Sequence, residues 1–151
     1  MLGRHPNLVI LRSLTKDHAV PGLRLGYLLA APEIATAVES VRPPWSVNAG
    51  ALRAGLAALR PAAQAHVRHA HAIVRASRTL LSDGFAERGY PVTPGQANFL
   101  LVDVGDGAVF RRRLLPRGLV VRDCASFNLA AHVRVACRRP DECSRLLEAI
   151  R

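Results

Sequence analysis

Two short apolar runs near the start of the chain limit its fold more than any other feature. Asn7-Leu8-Val9-Ile10-Leu11 is apolar at successive positions rather than at every second one, and Leu25-Gly26-Tyr27-Leu28-Leu29-Ala30 reads the same way. A pattern of that kind suits strands buried on both faces, as in the sheet of an α/β protein. The gap between the runs is too short for a helical crossover, so the strands are expected to be antiparallel or joined by an irregular loop. Pro21-Gly22 marks a turn inside the gap.

The gap also holds Lys16, the only lysine in the chain; every other basic side chain, histidine aside, is arginine. A background that writes arginine wherever a positive charge suffices leaves lysine where the chemistry needs an amine, because an amine forms an imine and a guanidinium does not. Lys16 lies just past a strand end, where α/β sheets place their ligands. Ser13 stands three positions before it and Arg24 eight after it. A hydroxyl and a rigid fork of N–H donors form a pair suited to a phosphate.

At 151 residues the chain is long enough for one ordinary core. Half of its residues are hydrophobic and 21% are charged, a globular composition rather than a disordered one. The formal charge of +10 raises the question of nucleic acid. The arginines are scattered, however, with Arg111-Arg112-Arg113 the one cluster, and aromatics for base stacking are few. Cys124, Cys137 and Cys143 are odd in number and lack metal-binding spacing, which fits free thiols in a reducing cytoplasm. No apolar run approaches a membrane span, and His5-Pro6 interrupts any signal-peptide core. His66, His69 and His71 share a helical stretch without a carboxylate or cysteine beside them, so no metal site is expected.

Taken in order, the spacing predicts helices over Ile34–Val41, introduced by Pro32-Glu33, and over Ala49–Leu59. A long helix over Ala62–Arg88 follows, with Val67, Ala70, Val74, Leu81 and Phe85 on one side. Beyond Gly89-Tyr90-Pro91 come a strand over Ala97–Asp103, a helix over Val109–Leu115, strands over Leu119–Arg122 and His132–Ala136, and a helix over Cys143–Ile150. That order reads as a small α+β domain over 89–151, joined by a linking helix over 61–88 to residues 1–60 of a larger α/β domain. Arg134 sits inside an otherwise apolar strand, where burial demands a partner: a ligand anion, or an ion pair with Asp123 or Glu142. Arg122 closes a second apolar strand.

Ser-x-x-Lys followed by Gly-Leu-Arg-Leu-Gly-Tyr resembles the lysine segment of the fold-type I pyridoxal-phosphate enzymes, the aspartate aminotransferase superfamily. The resemblance implies the C-terminal portion of that α/β fold, with Lys16 as the imine-forming lysine and Ser13 and Arg24 on the phosphate of pyridoxal 5'-phosphate. Gly118-Leu-Val-Val-Arg-Asp-Cys-Ala-Ser-Phe127, followed by Val133-Arg-Val-Ala136, resembles a motif shared by histidinol-phosphate aminotransferases and the threonine-phosphate decarboxylases of cobalamin synthesis. It implies that Arg134 grips a substrate carboxylate and Arg122 a substrate phosphate. Pro43-Pro44-Trp45-Ser46-Val47-Asn48 is similar to a segment that passes near the active site and dimer interface, which places Asn48 among the substrate contacts. The Arg-Asp-Cys-x-Ser-Phe wording favours the decarboxylases, with aminotransfer as the alternative. Asn128-Leu129-Ala130-Ala131 departs from a glycine-containing loop in the relatives.

The resemblance implies a small phosphorylated amino acid as substrate, a homodimer in the complete protein, and neither nucleic acid nor membrane as partner. It reaches only the C-terminal part of such a subunit, and the groups that hold the cofactor ring have no counterpart in this sequence. Two readings stay open: part of a pyridoxal-phosphate enzyme, which alone would turn over nothing, or a non-catalytic remnant that keeps the fold.

Overall fold

Antiparallel pairing of the two apolar runs is formed, but one strand lies further along the chain than its run. Strand β1 (Ile10–Ser13) pairs with β2 (Gly26–Leu29) in the register Ile10↔Leu29 through Ser13↔Gly26. Burial on both faces is not realised among the described residues, 4–150 of the computed structural model. Leu11 is 76% exposed, and Tyr27 and Leu29 are also exposed. The sheet is only two strands wide. Successive side chains of a strand point to opposite faces, so a ribbon needs a layer on each side to bury such a run.

Helix α1 (Pro32–Val41) starts with proline at its first position, where the missing N–H costs nothing. Helix α2 (Ala49–Ala58) starts at Asn48, whose Oδ1 accepts the Ala51 N–H at 2.9 Å. The long predicted helix is present as α3 (Pro61–Ala86). Contacts divide the chain into two units, Met1–His69 and Ala70–Arg151, with the division falling inside α3. Among the described residues of the first unit, the buried side chains are Leu14, Thr15, Ala51, Ala58 and Val67.

The second unit holds the main core. Its sheet has the order β3-β4-β6-β5, all antiparallel, formed by β3 (Val92–Thr93), β4 (Phe99–Asp103), β5 (Arg122–Cys124) and β6 (Leu129–Ala136). Leu100, Val102, Val133 and Val135 point to one face and are buried against Leu81 and Phe85 of α3. Phe110 and Leu114 of α4 (Gly107–Leu114) and Leu146 and Leu147 of α5 (Pro140–Ala149) complete the layer. Phe85, Tyr90 and Phe110 meet edge to face, with centroids 6.1 Å and 5.6 Å apart. The predicted strand over Leu119–Arg122 forms its ladder later, over Arg122–Cys124. Val121 is instead buried in the core, and the pairing slips between Asp123 and Cys124. Cys124, Cys137 and Cys143 are free and buried, and burial pushes the Cys137 thiol up. No helix among the described residues is long and apolar enough to cross a membrane.

Asp106 caps α4 by accepting the Val109 N–H at 2.9 Å, and this seats Gly107 against the backbone of β6. A Cβ at Gly107 would lie 2.5 Å from the His132 carbonyl oxygen and 3.2 Å from that of Ala130. These are backbone atoms of a central strand and cannot rotate away. Gly107→Ala is therefore expected to destabilise the unit by about 1–3 kcal/mol, the usual cost of overpacking. The gain in helix propensity from alanine, up to about 1 kcal/mol, is smaller. A lower urea midpoint at unchanged slope is the expected measurement; an unchanged midpoint would show that α4 can retreat from β6.

Candidate functional site

Ser13 ends β1, and the Leu14 N–H donates to the Leu25 carbonyl at 3.1 Å, carrying the antiparallel register one step past the strands. The intervening chain folds into a tight loop. His18 N–H donates to Leu14 O at 3.3 Å, Ala19 N–H to Lys16 O at 3.2 Å and Val20 N–H to Thr15 O at 3.2 Å. Leu14 and Thr15 are buried beneath this loop and Lys16 is exposed on it. The Ser13 and Thr15 hydroxyl oxygens are 2.8 Å apart, and the Thr15 N–H donates to Ser13 Oγ at 3.3 Å. Gly26 permits the approach: a Cβ there would lie 2.7 Å from the Arg12 carbonyl oxygen.

Arg24 follows a 3₁₀ turn over Pro21–Leu23 and has a left-handed backbone, φ 49°. Its Nη1 donates to Pro21 O at 2.8 Å, which leaves the other guanidinium N–H groups for an anion. Ala19 is also left-handed, φ 52°. Non-glycine residues take this conformation at a cost and persist in it where their surroundings fix them. Arg12 pairs with Asp17 at 3.7 Å across the loop. The exposed Ser13 and Lys16 and the guanidinium of Arg24 thus all belong to the β1–β2 end of the ribbon, and a hydroxyl, a primary amine and a guanidinium are groups of the kind that suit a phosphate ester bearing an aldehyde. Thr15, in the turn just past β1, is a buried polar residue satisfied by the Ser13 hydroxyl; no sequence pattern singles it out.

Asn48 is the N-cap of α2, with its side-chain oxygen accepting the Ala51 N–H at 2.9 Å, which leaves the amide nitrogen and the second lone pair of that oxygen for any further contact.

In the second unit the structure corrects the expected burial of Arg134. Its neighbours Val133 and Val135 face the core, and Arg134, one step out of phase, is exposed on the opposite face. Asp123 and Glu142 are engaged elsewhere. Asp123 Oδ1 accepts the Ala125 N–H at 3.3 Å. Glu142 accepts from Arg138 Nε at 2.7 Å, a hydrogen bond that holds its carboxyl below the usual range. Arg122 and Arg134 are register partners across β5 and β6 and both are exposed. Among the described residues neither makes an ion pair. Arg122 Nη2 donates to Ser126 Oγ at 2.9 Å. The structure therefore gathers Ser13, Lys16 and Arg24 in one unit and Arg122 and Arg134 in the other.

The model of the aminotransferase class I and II family matches residues 1–150. A histidinol-phosphate aminotransferase of Symbiobacterium thermophilum is 40% identical over 149 residues, which cover 97% of this chain and 40% of that protein. The histidinol-phosphate aminotransferase of Clostridium acetobutylicum superposes with a TM-score of 0.87 at 25% identity over 99% of this chain and 46% of that one. The L-threonine-O-3-phosphate decarboxylase of Porphyromonas gingivalis superposes with a TM-score of 0.79 at 26% identity, over 99% of this chain and 47% of that one. The chain spans about two fifths of the length of the curated relatives it matches. Members of this family use pyridoxal phosphate, which the Ser13–Lys16–Arg24 donor set suits. Matched along nearly its whole length and sharing the fold of solved members, this chain belongs to the aminotransferase class I and II family.

Proposed function

We propose that this chain carries the lysine and the anion-binding arginines of a pyridoxal-phosphate enzyme acting on a small phosphorylated amino compound. The observation that carries the reading is the single lysine, exposed on a loop fixed by Thr15 and Leu14, with Ser13 and Arg24 at the same end of the ribbon. Ser13 and Arg24 would hold the cofactor phosphate, and Lys16 would hold its aldehyde carbon covalently. Bound there, pyridoxal phosphate supplies a sink for electrons released at the substrate Cα. The Lys16 amine, when free, would take or return a proton at the substrate Cα. Arg134 would grip the substrate carboxylate with its fork and Arg122 the phosphate, two charge-assisted contacts that fix the molecule at both ends.

Aminotransfer is the better supported reaction, because relatives of 33–40% identity are histidinol-phosphate aminotransferases. Decarboxylation of threonine phosphate is the second reading, favoured by the Arg122-Asp-Cys-Ala-Ser-Phe127 wording and by the decarboxylase superposition. Product analysis separates them in a subunit of the relatives' length that contains this chain. Keto product from histidinol phosphate, with glutamate formed from 2-oxoglutarate, is the expected outcome. Carbon dioxide from threonine phosphate would select the second reading, and turnover of neither would sink both.

A further inference from the structure

Arg122 and Arg134 face each other directly across two strands, and like charges so placed repel. Proteins usually relieve such a pair with carboxylates, yet neither arginine has an ion-pair partner among the described residues. Each lies over an aromatic ring instead. The Arg134 guanidinium carbon is 5.2 Å from the centroid of Phe99, which sits on the neighbouring strand two residues along from the partner of Arg134. The Arg122 carbon is 5.9 Å from the centroid of Phe127, in the 3₁₀ turn that also supplies Ser126. A ring face attracts a guanidinium and makes a surface for its flat side, but unlike a carboxylate it takes up none of the N–H donors. Phe99 is itself pinned: Arg78 Nη1 donates to Ala97 O at 2.8 Å and to Phe99 O at 3.0 Å, and the Cys137 N–H donates to Asn98 O at 2.9 Å. Both rings are 37–56% exposed, a costly way to place phenylalanine unless the exposed face has a use.

We infer that Phe99 and Phe127 are positioning residues: each carries one guanidinium on its ring, and together they hold Arg134 and Arg122 as a receptor for two anionic groups with no carboxylate competing for the donors. The inference rests on the reading that this arginine pair binds a ligand's anions. It adds that the fork directions, and with them the spacing between the two anions, are set by aromatic rings.

The test uses the chain labelled with ¹⁵N-arginine, inorganic phosphate as probe, and the variants Phe99→Leu, Phe99→Tyr, Phe127→Leu and Phe127→Tyr. The leucine variants should shift the Nε–H resonance of the arginine above the altered ring. They should also weaken phosphate binding about two- to five-fold, the loss expected for one exposed cation–π contact. The tyrosine variants should restore both. Because the rings are partly exposed, melting should be little changed, and circular dichroism of each variant checks this. If Arg122→Ala and Arg134→Ala abolish phosphate binding while the leucine variants bind like the parent, the anion reading stands and the ring assignment falls. The readout is the phosphate-induced shift of the Nε–H resonances of this pair, since Ser13 and Arg24 are expected to bind phosphate on their own. A shift of the remaining member that survives substitution of the other, or that the parent lacks at both, overturns both readings.

Discussion

Turnover should be abolished by Lys16→Arg in a subunit of the relatives' length that carries this chain. The charge is kept and the amine is lost, so the cofactor can no longer be held covalently, and loss of the proton transfer alone costs on the order of 10²–10⁴-fold. Lys16 is exposed on its loop while Leu14 and Thr15 are buried below, so the substitution should leave the melting transition in place. The chain's lack of any other lysine makes the chemical test unusually clean. Borohydride reduction in the presence of pyridoxal phosphate, followed by peptide mapping, should put the pyridoxyl mass on the Lys16 peptide. Labelling confined to the N-terminal amine would refute the assignment.

The second large effect is expected at the arginine pair. Arg134→Ala should lower kcat/KM for every amino-acid substrate by on the order of 2–5 kcal/mol, or about thirty- to several-thousand-fold. Arg122→Ala should lower it by a similar factor for phosphorylated substrates and much less for their unphosphorylated analogues. Equal losses on threonine phosphate and threonine would remove the phosphate role from Arg122. Neither substitution should change stability much, because relief of the repulsion between two like charges placed directly opposite offsets the exposed cation–π contact that is lost. A protein that loses activity and stability together would point to a structural role for these arginines instead.

Much of this architecture was legible because helices announce themselves through several agreeing signals. Pro32 and Pro140 at the first positions of α1 and α5 and Asn48 before α2 are start signals, and the Val67-to-Phe85 stripe of α3 supplies 3.6-residue periodicity. Strand exposure was less legible. A run such as Ile10-Leu11 reads as buried on both faces, but whether a layer covers each face is decided by residues far away in sequence. Arg134 was misjudged for a related reason: two flanking valines suggested burial, whereas strict two-residue alternation puts the residue between them on the other face. The pairing of Arg122 with Arg134 depends on the register of β5 with β6 and its slip at Asp123/Cys124, which no local pattern encodes. Lys16 needed no such information, since its chemistry stood out against an arginine background.

The scarcity of buried side chains among the described residues of the first unit has a thermodynamic consequence. Local opening costs least where least apolar surface is lost from water, so the Lys16 loop belongs to the part of the chain that opens most readily. The Phe85–Tyr90–Phe110 core of Ala70–Arg151 is expected to open last in hydrogen exchange. On the proposed reading, a ligand held by Ser13, Lys16 and Arg24 would close the β1–β2 end from outside and stabilise it by mass action. For this loop, the proposed cofactor binding and the folded state would then be linked in one equilibrium.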